Sequence, residues 1–144
     1  MIGEGPERKR LEALAAPNVK LVGWQSDQAS AELVGRARAL VHAAEEDFGL
    51  VMAEAQAAGC PVIAYGSGSA PEIILDGQTG LLFHEQTVES LMASVECFEK
   101  DSESSEPGKA IKNANRFSKG IFQEKFGRMV ERRWASFLRV PKTR

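Results

Sequence analysis

Short apolar runs alternate with longer, helix-like stretches along the first 86 residues of the chain. Short apolar runs bounded by turn residues are typical of buried strands, and apolar residues at a 3.6-residue period are typical of amphipathic helices. The alternation of the two patterns predicts βαβ units that build a parallel sheet. The predicted strands are residues 18–23, 38–42, 61–65 and 80–83, and the predicted helices are residues 6–16, 26–37 and 50–58.

Residues that favour helix and strand ends stand where this pattern needs them. Pro6 lies in the first turn of the first predicted helix, where its missing N–H costs nothing. Ser26 is a natural N-cap for the second helix, and Gly59 is a natural C-cap for the third. Pro61 begins the third strand, at a position where a ladder donor is dispensable. The local signals therefore agree with the apolar pattern.

The pattern becomes helical throughout after residue 86. The last predicted helix begins at Ser118 and carries an apolar stripe, which we interpret as part of the core because such a stripe must pack against something. The stripe consists of Phe122, Phe126, Met129, Val130, Trp134, Phe137 and Leu138. The other predicted parts of this region are a helix at residues 87–99, a polar connection at 101–108 and a short helix at 109–114.

Length and composition fit one ordinary globular domain. The chain has 144 residues, of which 43% are hydrophobic and 26% are charged. A chain of this length and composition can bury a real core, so we predict a single domain over residues 1–144. Residues 1–86 form its α/β core, and residues 87–144 form its C-terminal helices.

The net charge of −2 conceals an uneven distribution. Residues 1–115 contain nine Lys and Arg and eighteen Asp and Glu, whereas residues 116–144 contain nine Lys and Arg and two Asp and Glu. We interpret the basic end as a solvated helix face. Contact with an anionic membrane surface is the alternative. Binding to nucleic acid is disfavoured, because no aromatic residues are interleaved with base-reaching polar ones.

Cysteine usage and hydropathy indicate a cytoplasmic protein. Cys60 and Cys97 lie in different predicted elements and lack motif spacing, so neither a disulfide framework nor a metal site is expected. Two such thiols suit a reducing cytoplasm. The chain has no apolar run near the roughly 20 residues that a bilayer span needs, and its first residues lack a signal-peptide core.

An acidic loop followed by a glycine and a helix is the most informative stretch of the chain. Glu46 stands in the loop after the second predicted strand, Gly49 stands at the mouth of the next helix, and Glu54 lies one turn further along. Ligands of open α/β sheets bind beyond the carboxyl ends of the strands, and the free N–H groups of a helix start suit a diphosphate. Carboxylates at such positions also occur simply as complements of the helix dipole, so the spacing alone leaves both interpretations open.

Several motifs follow one another along the chain. Seven residues separate Glu46 from Glu54, with Phe48-Gly49-Leu50 between them. Residues 59–64 follow as Gly-Cys-Pro-Val-Ile-Ala, residues 66–83 contain a Gly-rich turn, a Pro-Glu pair and an Asp-Gly-x-Thr-Gly strand entry, and residues 3–7 contain a Gly-x-Gly-Pro loop. The motifs in this order resemble those of retaining glycosyltransferases of the GT-B fold, in the large set called family four or group 1. The fold implied is α/β, a Rossmann-like parallel sheet with flanking helices, as in the C-terminal half of GT-B enzymes.

The resemblance implies a nucleotide-diphosphate sugar donor, retention of anomeric configuration, and no cofactor or metal. It assigns Glu54 to the donor ribose and Glu46, the candidate catalytic residue, to the transferred sugar. Backbone N–H groups of Phe48, Gly49 and Leu50 would hold sugar hydroxyls and phosphate.

The resemblance also places the loop with Trp24 and Gln25 against the donor base. Residues 45–57 and 83–91 are close in character to a bacterial mannosyltransferase branch, which implies GDP-mannose as donor. The alternative function is a non-catalytic nucleotide-sugar-binding module or an inert fragment.

The chain departs from the family pattern at its start. An N-terminal, acceptor-binding domain and the first β–α unit of the C-terminal domain are missing, together with the cations that neutralise the donor diphosphate. In the strand order 3-2-1-4-5-6 the lost strand is central, so we expect an open gap beside residues 38–42. We also expect the stripe of the last helix to pack partly against the missing half.

Overall fold

The structure is a computed structural model that describes residues 1–100 and 106–139. Helices and three short strands alternate through the first two thirds of the chain, and the described residues after them form helices. The elements in chain order are α1 (Arg8–Leu14), α2 (Asp27–Gly35), β1 (Leu40–His42), α3 (Leu50–Ala57), β2 (Val62–Tyr65), α4 (Ala70–Ile73), β3 (Gly80–Phe83), α5 (Val88–Lys100), α6 (Pro107–Ala114) and α7 (Lys119–Arg139), with a 3-10 turn at Asn115–Phe117 between the last two.

The three strands form one parallel sheet in the order β1-β2-β3. Leu40 pairs with Val62 in the first ladder, and Val62 pairs with Gly80 in the second. A helix connects each pair of parallel neighbours, as parallel pairing requires. The predicted strands at residues 38–42, 61–65 and 80–83 are therefore confirmed, and so is the predicted α/β class.

Side chains alternate across the central strand and build the core on both of its faces. Val62 and Ala64 pack on one face with Met52 and Ala55 of α3. Ile63 points to the other face and packs with Phe83 and Phe98, the latter from α5. The two core clusters hold α3 on one side of the sheet and α5 on the other.

The predicted strand at residues 18–23 is wrong. Only an isolated parallel bridge forms there, between Ile2 and Gly23, with a hydrogen bond of 2.8 Å from Gly3 N–H to the Gly23 carbonyl. Val19 and Val22 are 41% and 40% exposed, so they lack the burial that rewards an extended ladder. Apolar composition alone does not form a strand without a paired and covered neighbour.

The described part of the chain agrees with the predicted gap beside β1. Within residues 1–100 and 106–139, β1 pairs with β2 alone, and no ladder joins residues 19–22 to residues 39–41. The N–H of Leu40 donates to the Pro61 carbonyl, so the N–H and carbonyl of the next residue, Val41, point to the open edge. The Val41 side chain is about half exposed.

Helix ends follow the local signals closely. Ser26 Oγ accepts a hydrogen bond of 3.2 Å from the Ala29 N–H at the start of α2, and Thr87 Oγ1 accepts one of 3.2 Å from the Ser90 N–H at the start of α5. Gly59 follows α3 with a left-handed φ of 79°. These caps fix helix boundaries within two or three residues of those predicted.

The interpretation of the α7 stripe as core is wrong. Phe122 and Trp134 are 62% and 61% exposed, and the other stripe residues, Phe126, Met129, Val130, Phe137 and Leu138, are exposed as well. The helical period was sufficient to predict the stripe but not what covers it. Packing of the stripe against a missing half stays a prediction.

The two cysteines differ in their exposure to solvent. Cys60 is buried and Cys97 is exposed, and both thiols are free. Burial raises the pKa of the Cys60 thiol. None of the helices in the described residues has both the length and the apolar character of a bilayer span.

Candidate functional site

Gly49 makes the turn from the acidic loop into α3. Its φ of 77° and ψ of 38° lie in the left-handed region, which favours glycine. A Cβ atom there would stand 2.5 Å from Met52 Cε, 2.6 Å from Ile73 Cδ1 and 2.7 Å from Ser69 Oγ. Both the backbone conformation and the close packing therefore require glycine at the mouth of this helix.

The start of α3 offers free backbone donors. Within residues 1–100 and 106–139, the N–H groups of Phe48, Gly49, Leu50 and Val51 donate no hydrogen bond. The side chains of Phe48 and Leu50 are 69% and 61% exposed beside them. The first N–H groups of a helix carry its positive dipole end, so this geometry suits an anionic group such as phosphate.

A second, Gly-rich loop supports the acidic loop. The Ser69 N–H donates to the Glu46 carbonyl at 2.8 Å, and Ser67 Oγ lies 3.0 Å from Glu45 Oε1. A Cβ on Gly68 would stand 2.4 Å from the Glu46 carbonyl oxygen, so only glycine allows the two backbones to approach. The Gly-Ser repeat at residues 66–69 predicts a tight turn, but no pattern in the sequence predicts these contacts of Ser67 and Ser69.

Glu46 has a histidine as its basic neighbour. His42 Nε2, at the end of β1, lies 3.6 Å from Glu46 Oε1. The His42 side chain is 16% exposed, whereas that of Glu46 is 41% exposed. The Glu46 carboxylate therefore faces solvent on one side and the imidazole on the other.

Glu54 lies on α3, one turn beyond the free N–H groups, and is exposed. In the described residues its carboxylate makes no ion pair. A free, solvent-facing carboxylate can accept hydrogen bonds from the hydroxyl groups of a ligand.

Trp24 and Gln25 occupy a separate loop before α2. Trp24 is 74% exposed, and its N–H donates to Glu4 Oε1 at 3.2 Å. The Gln25 amide nitrogen donates to the carbonyls of Val22 and Trp24, at 2.9 and 2.8 Å. Among the described residues, no hydrogen bond or ion pair joins this loop to residues 45–50, so the structure leaves the predicted contact with a donor base as a prediction.

An ion pair supports the Trp24 loop. The Arg8 guanidinium contacts the Glu4 carboxylate, and the pKa of Glu4 lies below its ordinary value, first because Arg8 donates a hydrogen bond to it and second because the Trp24 N–H does so. The same contact raises the pKa of Arg8. The loop at residues 3–7 thus holds the loop that carries Trp24 and Gln25.

A cavity of about 570 Å³ lies between the start of α3 and the first half of α7. Its walls are mainly apolar, with three cations and no carboxylate at the rim. The lining residues are Phe48, Leu50, Ala53, Ile73, Arg116, Phe117, Lys119, Phe122, Lys125, Phe126 and Met129. The apolar period of the sequence predicted that these aromatic residues share one face of α7. It did not predict that this face lies beside the start of α3.

Metal ligands do not cluster in the part of the chain that the structure describes. No group of three His, Cys, Asp or Glu side chains in residues 1–100 and 106–139 lies close enough to hold an ion. The structure describes three candidate features separately: the backbone donors at the start of α3, the His42–Glu46 pair at the end of β1, and the exposed Glu54 on α3.

A parallel sheet with helices on both faces defines an α/β domain, and ligands of such domains bind beyond the carboxyl ends of the strands. Comparison with protein families identifies it further, because the family described as "Glycosyl transferases group 1" matches residues 1–117. The chain belongs to this family. The GT-B class that the motifs predict is thereby confirmed.

Curated relatives bear glycosyltransferase names. Sulfoquinovosyl transferase SQD2 of Arabidopsis thaliana is 33% identical over 110 residues, which are 73% of this chain and 22% of that protein. A GDP-mannose-dependent alpha-mannosyltransferase of Mycobacterium tuberculosis is 36% identical over 83 residues, which are 57% of this chain and 22% of that protein. The chain thus matches about a fifth of the length of these relatives.

Solved structures share the fold. Sucrose-phosphate synthase from Thermosynechococcus elongatus superposes with a TM-score of 0.80 at 24% identity, over 94% of this chain and 38% of that one. HepE from Anabaena, solved in complex with UDP and glucose, superposes with a TM-score of 0.73 at 23% identity, over 90% of this chain and 39% of that one. The chain corresponds to less than half of each of these proteins.

Proposed function

We propose that this chain is the donor-binding part of a retaining hexosyltransferase that uses a nucleotide-diphosphate sugar. Membership of the group 1 glycosyl transferases supports the proposal. The observation that carries it is the start of α3, where four N–H groups without a hydrogen-bond partner among the described residues follow the acidic loop that contains Glu46. A diphosphate has the charge and the acceptor oxygens that such a helix start favours.

Each part of the donor has a counterpart in the site. The N–H groups of Phe48, Gly49 and Leu50 hold the diphosphate and nearby sugar hydroxyls. Glu54 accepts hydrogen bonds from the ribose, and Glu46 contacts the transferred sugar. Charged hydrogen bonds of this kind are among the stronger polar contacts in proteins. The proposed binding of the donor involves no metal or other cofactor.

The base of the donor rests on the loop that carries Trp24 and Gln25. The indole of Trp24 is exposed and offers an apolar face, while the Gln25 amide nitrogen stabilises the loop through backbone carbonyls. Aromatic faces are suitable stacking surfaces for nucleobases. Trp24 thereby contributes to donor affinity without selecting one base strictly.

GDP-mannose is the donor we propose. Two relatives support it by name: the alpha-mannosyltransferase of Mycobacterium tuberculosis, and a phosphatidylinositol monomannoside mannosyltransferase of Mycolicibacterium smegmatis, which is 44% identical over 50 residues. The Anabaena structures, by contrast, contain UDP, glucose or UDP-glucose. A direct comparison of guanosine and uridine donors is therefore part of the test.

We propose that the chain acts as part of a longer, cytoplasmic parent. An N-terminal half would bind the acceptor and pack against the exposed aromatic residues of α7. Contact of the basic α7 with an anionic membrane surface is the competing arrangement. Its apolar face contains Arg133 next to Trp134 and Phe137, so an anionic bilayer also suits its charge.

Amide NMR of the 144-residue chain tests the proposed site. Titration with GDP-mannose should shift the amide resonances of residues 48–51, and Glu54→Ala should weaken these shifts at equal ligand concentration. Glu89→Ala, an exposed glutamate in the first turn of α5, serves as the matched control. Shifts spread evenly over the chain, or none in residues 48–51, would contradict the proposal. If the amides of those residues shift but the longer parent protein transfers no sugar, the chain is better explained as a non-catalytic binding module.

A further inference from the structure

His42 has a buried nitrogen without a partner. Its Nε2 atom is inaccessible to solvent, and no atom of the described residues lies within hydrogen-bonding distance of it. Buried polar atoms in folded proteins are nearly always hydrogen-bonded, so an exception needs a physical explanation. The nearest ionisable partner is the Glu46 carboxylate, at 3.6 Å.

We propose that His42 is a positioning residue for Glu46, and that its Nε2–H donates a hydrogen bond to Glu46 Oε1 when the donor sugar occupies the site. The inference rests on the proposed function, because it assigns Glu46 to the transferred sugar. A hydrogen bond needs an N···O distance of about 2.7–3.2 Å, so the gap closes with a side-chain movement of less than about 1 Å.

The surroundings decide which side chain moves. His42 is mostly buried at the end of β1, and its strand is held by the ladder to β2. The Glu46 backbone is held by the Ser69 N–H. The Glu46 carboxylate is more exposed and rotates about three single bonds. The Glu46 carboxylate therefore moves toward the imidazole, and His42 stays in place.

The chemistry of the pair leaves one carboxylate oxygen for the sugar. A neutral imidazole has one N–H donor and one acceptor nitrogen, and the Nε2–H tautomer presents the donor to Glu46. With Oε1 bound to His42, Oε2 remains free to accept from a sugar hydroxyl. Within the described residues, no Lys or Arg forms an ion pair with Glu46, so His42 is the group that orients it.

The test compares two ligands on the intact 144-residue chain by calorimetric titration: GDP-mannose and GDP. His42→Phe removes the donor but keeps an aromatic ring, and His42→Gln keeps an N–H donor. His84→Phe is the matched control, because His84 is the second histidine of the chain and is exposed. We expect His42→Phe to lower the affinity for GDP-mannose about tenfold and to leave the affinity for GDP unchanged. His42→Gln should retain most of the wild-type affinity for GDP-mannose. His84→Phe should change neither affinity.

The outcomes separate this inference from the proposed function. Equal loss of GDP and GDP-mannose in a folded His42→Phe variant would mean a structural role and would overturn the inference. An unchanged affinity for GDP-mannose would overturn it as well. A wild-type chain that binds neither ligand would overturn the proposed function itself. In the double variant with Glu46→Ala, the two losses should not add, because without the Glu46 carboxylate His42 has no side chain to position. Additive losses would also refute the inference.

Discussion

Asn113 on α6 donates a hydrogen bond of 2.6 Å from Nδ2 to Oε1 of Gln56 on α3. Gln56 is completely buried, and both side-chain amides also donate to the Ile73 carbonyl. These contacts join three segments of the chain in one buried polar network. The helix that begins at the candidate site is thereby anchored to the C-terminal helices.

Asn113→Ala should destabilise the fold markedly. It leaves Gln56 Oε1 buried without a donor, which costs about 1–3 kcal/mol. Urea unfolding followed by circular dichroism measures the change. Asn18→Ala, at an exposed turn, is the control and should have little effect. Equal stability of the two variants would show that the network contributes nothing.

Gly49→Ala should cost more stability than Gly77→Ala. Both glycines have a left-handed φ, 77° and 70°, so both variants lose about 1 kcal/mol from backbone strain. Only Gly49 also lacks room for a Cβ, whereas Gly77 has open space. We expect an additional loss of about 1–2 kcal/mol at Gly49 from overpacking. Matching unfolding free energies would refute the close packing at the α3 start.

Acidification should release the loop that carries Trp24. Because the pKa of Glu4 is lowered in the folded chain, its contribution is fully present above the ordinary value of about 4.3 and is lost as the pH falls through the lower folded-state pKa. In a Trp134→Phe background, Trp24 emission should be constant down to about pH 5 and change below about pH 4. Glu4→Gln should remove this step, and Glu7→Gln, its control, should keep it. A step that survives in Glu4→Gln would contradict the assignment.

Trp134 should be open to quenching in this chain and protected in the longer parent. It is 61% exposed here, and we expect the N-terminal half to cover it. In a Trp24→Phe background, iodide quenching of the chain and of the parent measures the difference. Protection that appears only with anionic vesicles, and not in the parent, would favour the membrane arrangement instead.

The chain alone should transfer no sugar, because we expect the acceptor site to lie in another half of the parent. Incubation with labelled GDP-mannose and candidate acceptors measures the transfer. Turnover above that of Glu54→Ala would prove this prediction wrong. In the parent, Glu54→Ala should lower donor use by at least about tenfold, since a lost charged hydrogen bond costs about 1.5–3 kcal/mol.

Local signals were sufficient for much of the fold. The caps at Ser26 and Gly59 and the glycine at residue 49 act within a few residues of their own position, so the sequence predicts them directly. The prediction of a strand at residues 18–23 was wrong because a strand also needs a paired neighbour and a packed face. The four-residue helix α4 was not predicted, since one turn leaves no periodic pattern.

Contacts between residues far apart in the chain could not be predicted from local sequence patterns. The local sequence around Gln56 does not predict its burial, because its hydrogen-bond partner Asn113 lies 57 positions later in the chain. Ser69, 23 positions after Glu46, supports the candidate site through its backbone N–H, which no side-chain pattern reveals. The stripe of α7 was predicted by its period, but its exposure depends on what packs there.

We propose that a nucleotide-diphosphate sugar binds at the start of α3 and contacts Glu46 and Glu54. Calorimetric titration of the 144-residue chain with GDP-mannose, UDP-glucose and UDP-N-acetylglucosamine tests this binding. We expect saturable binding that is strongest for GDP-mannose and weakened about tenfold or more by Glu54→Ala. Heat signals that do not saturate for any of the three donors, or equal affinity in Glu54→Ala, would contradict it.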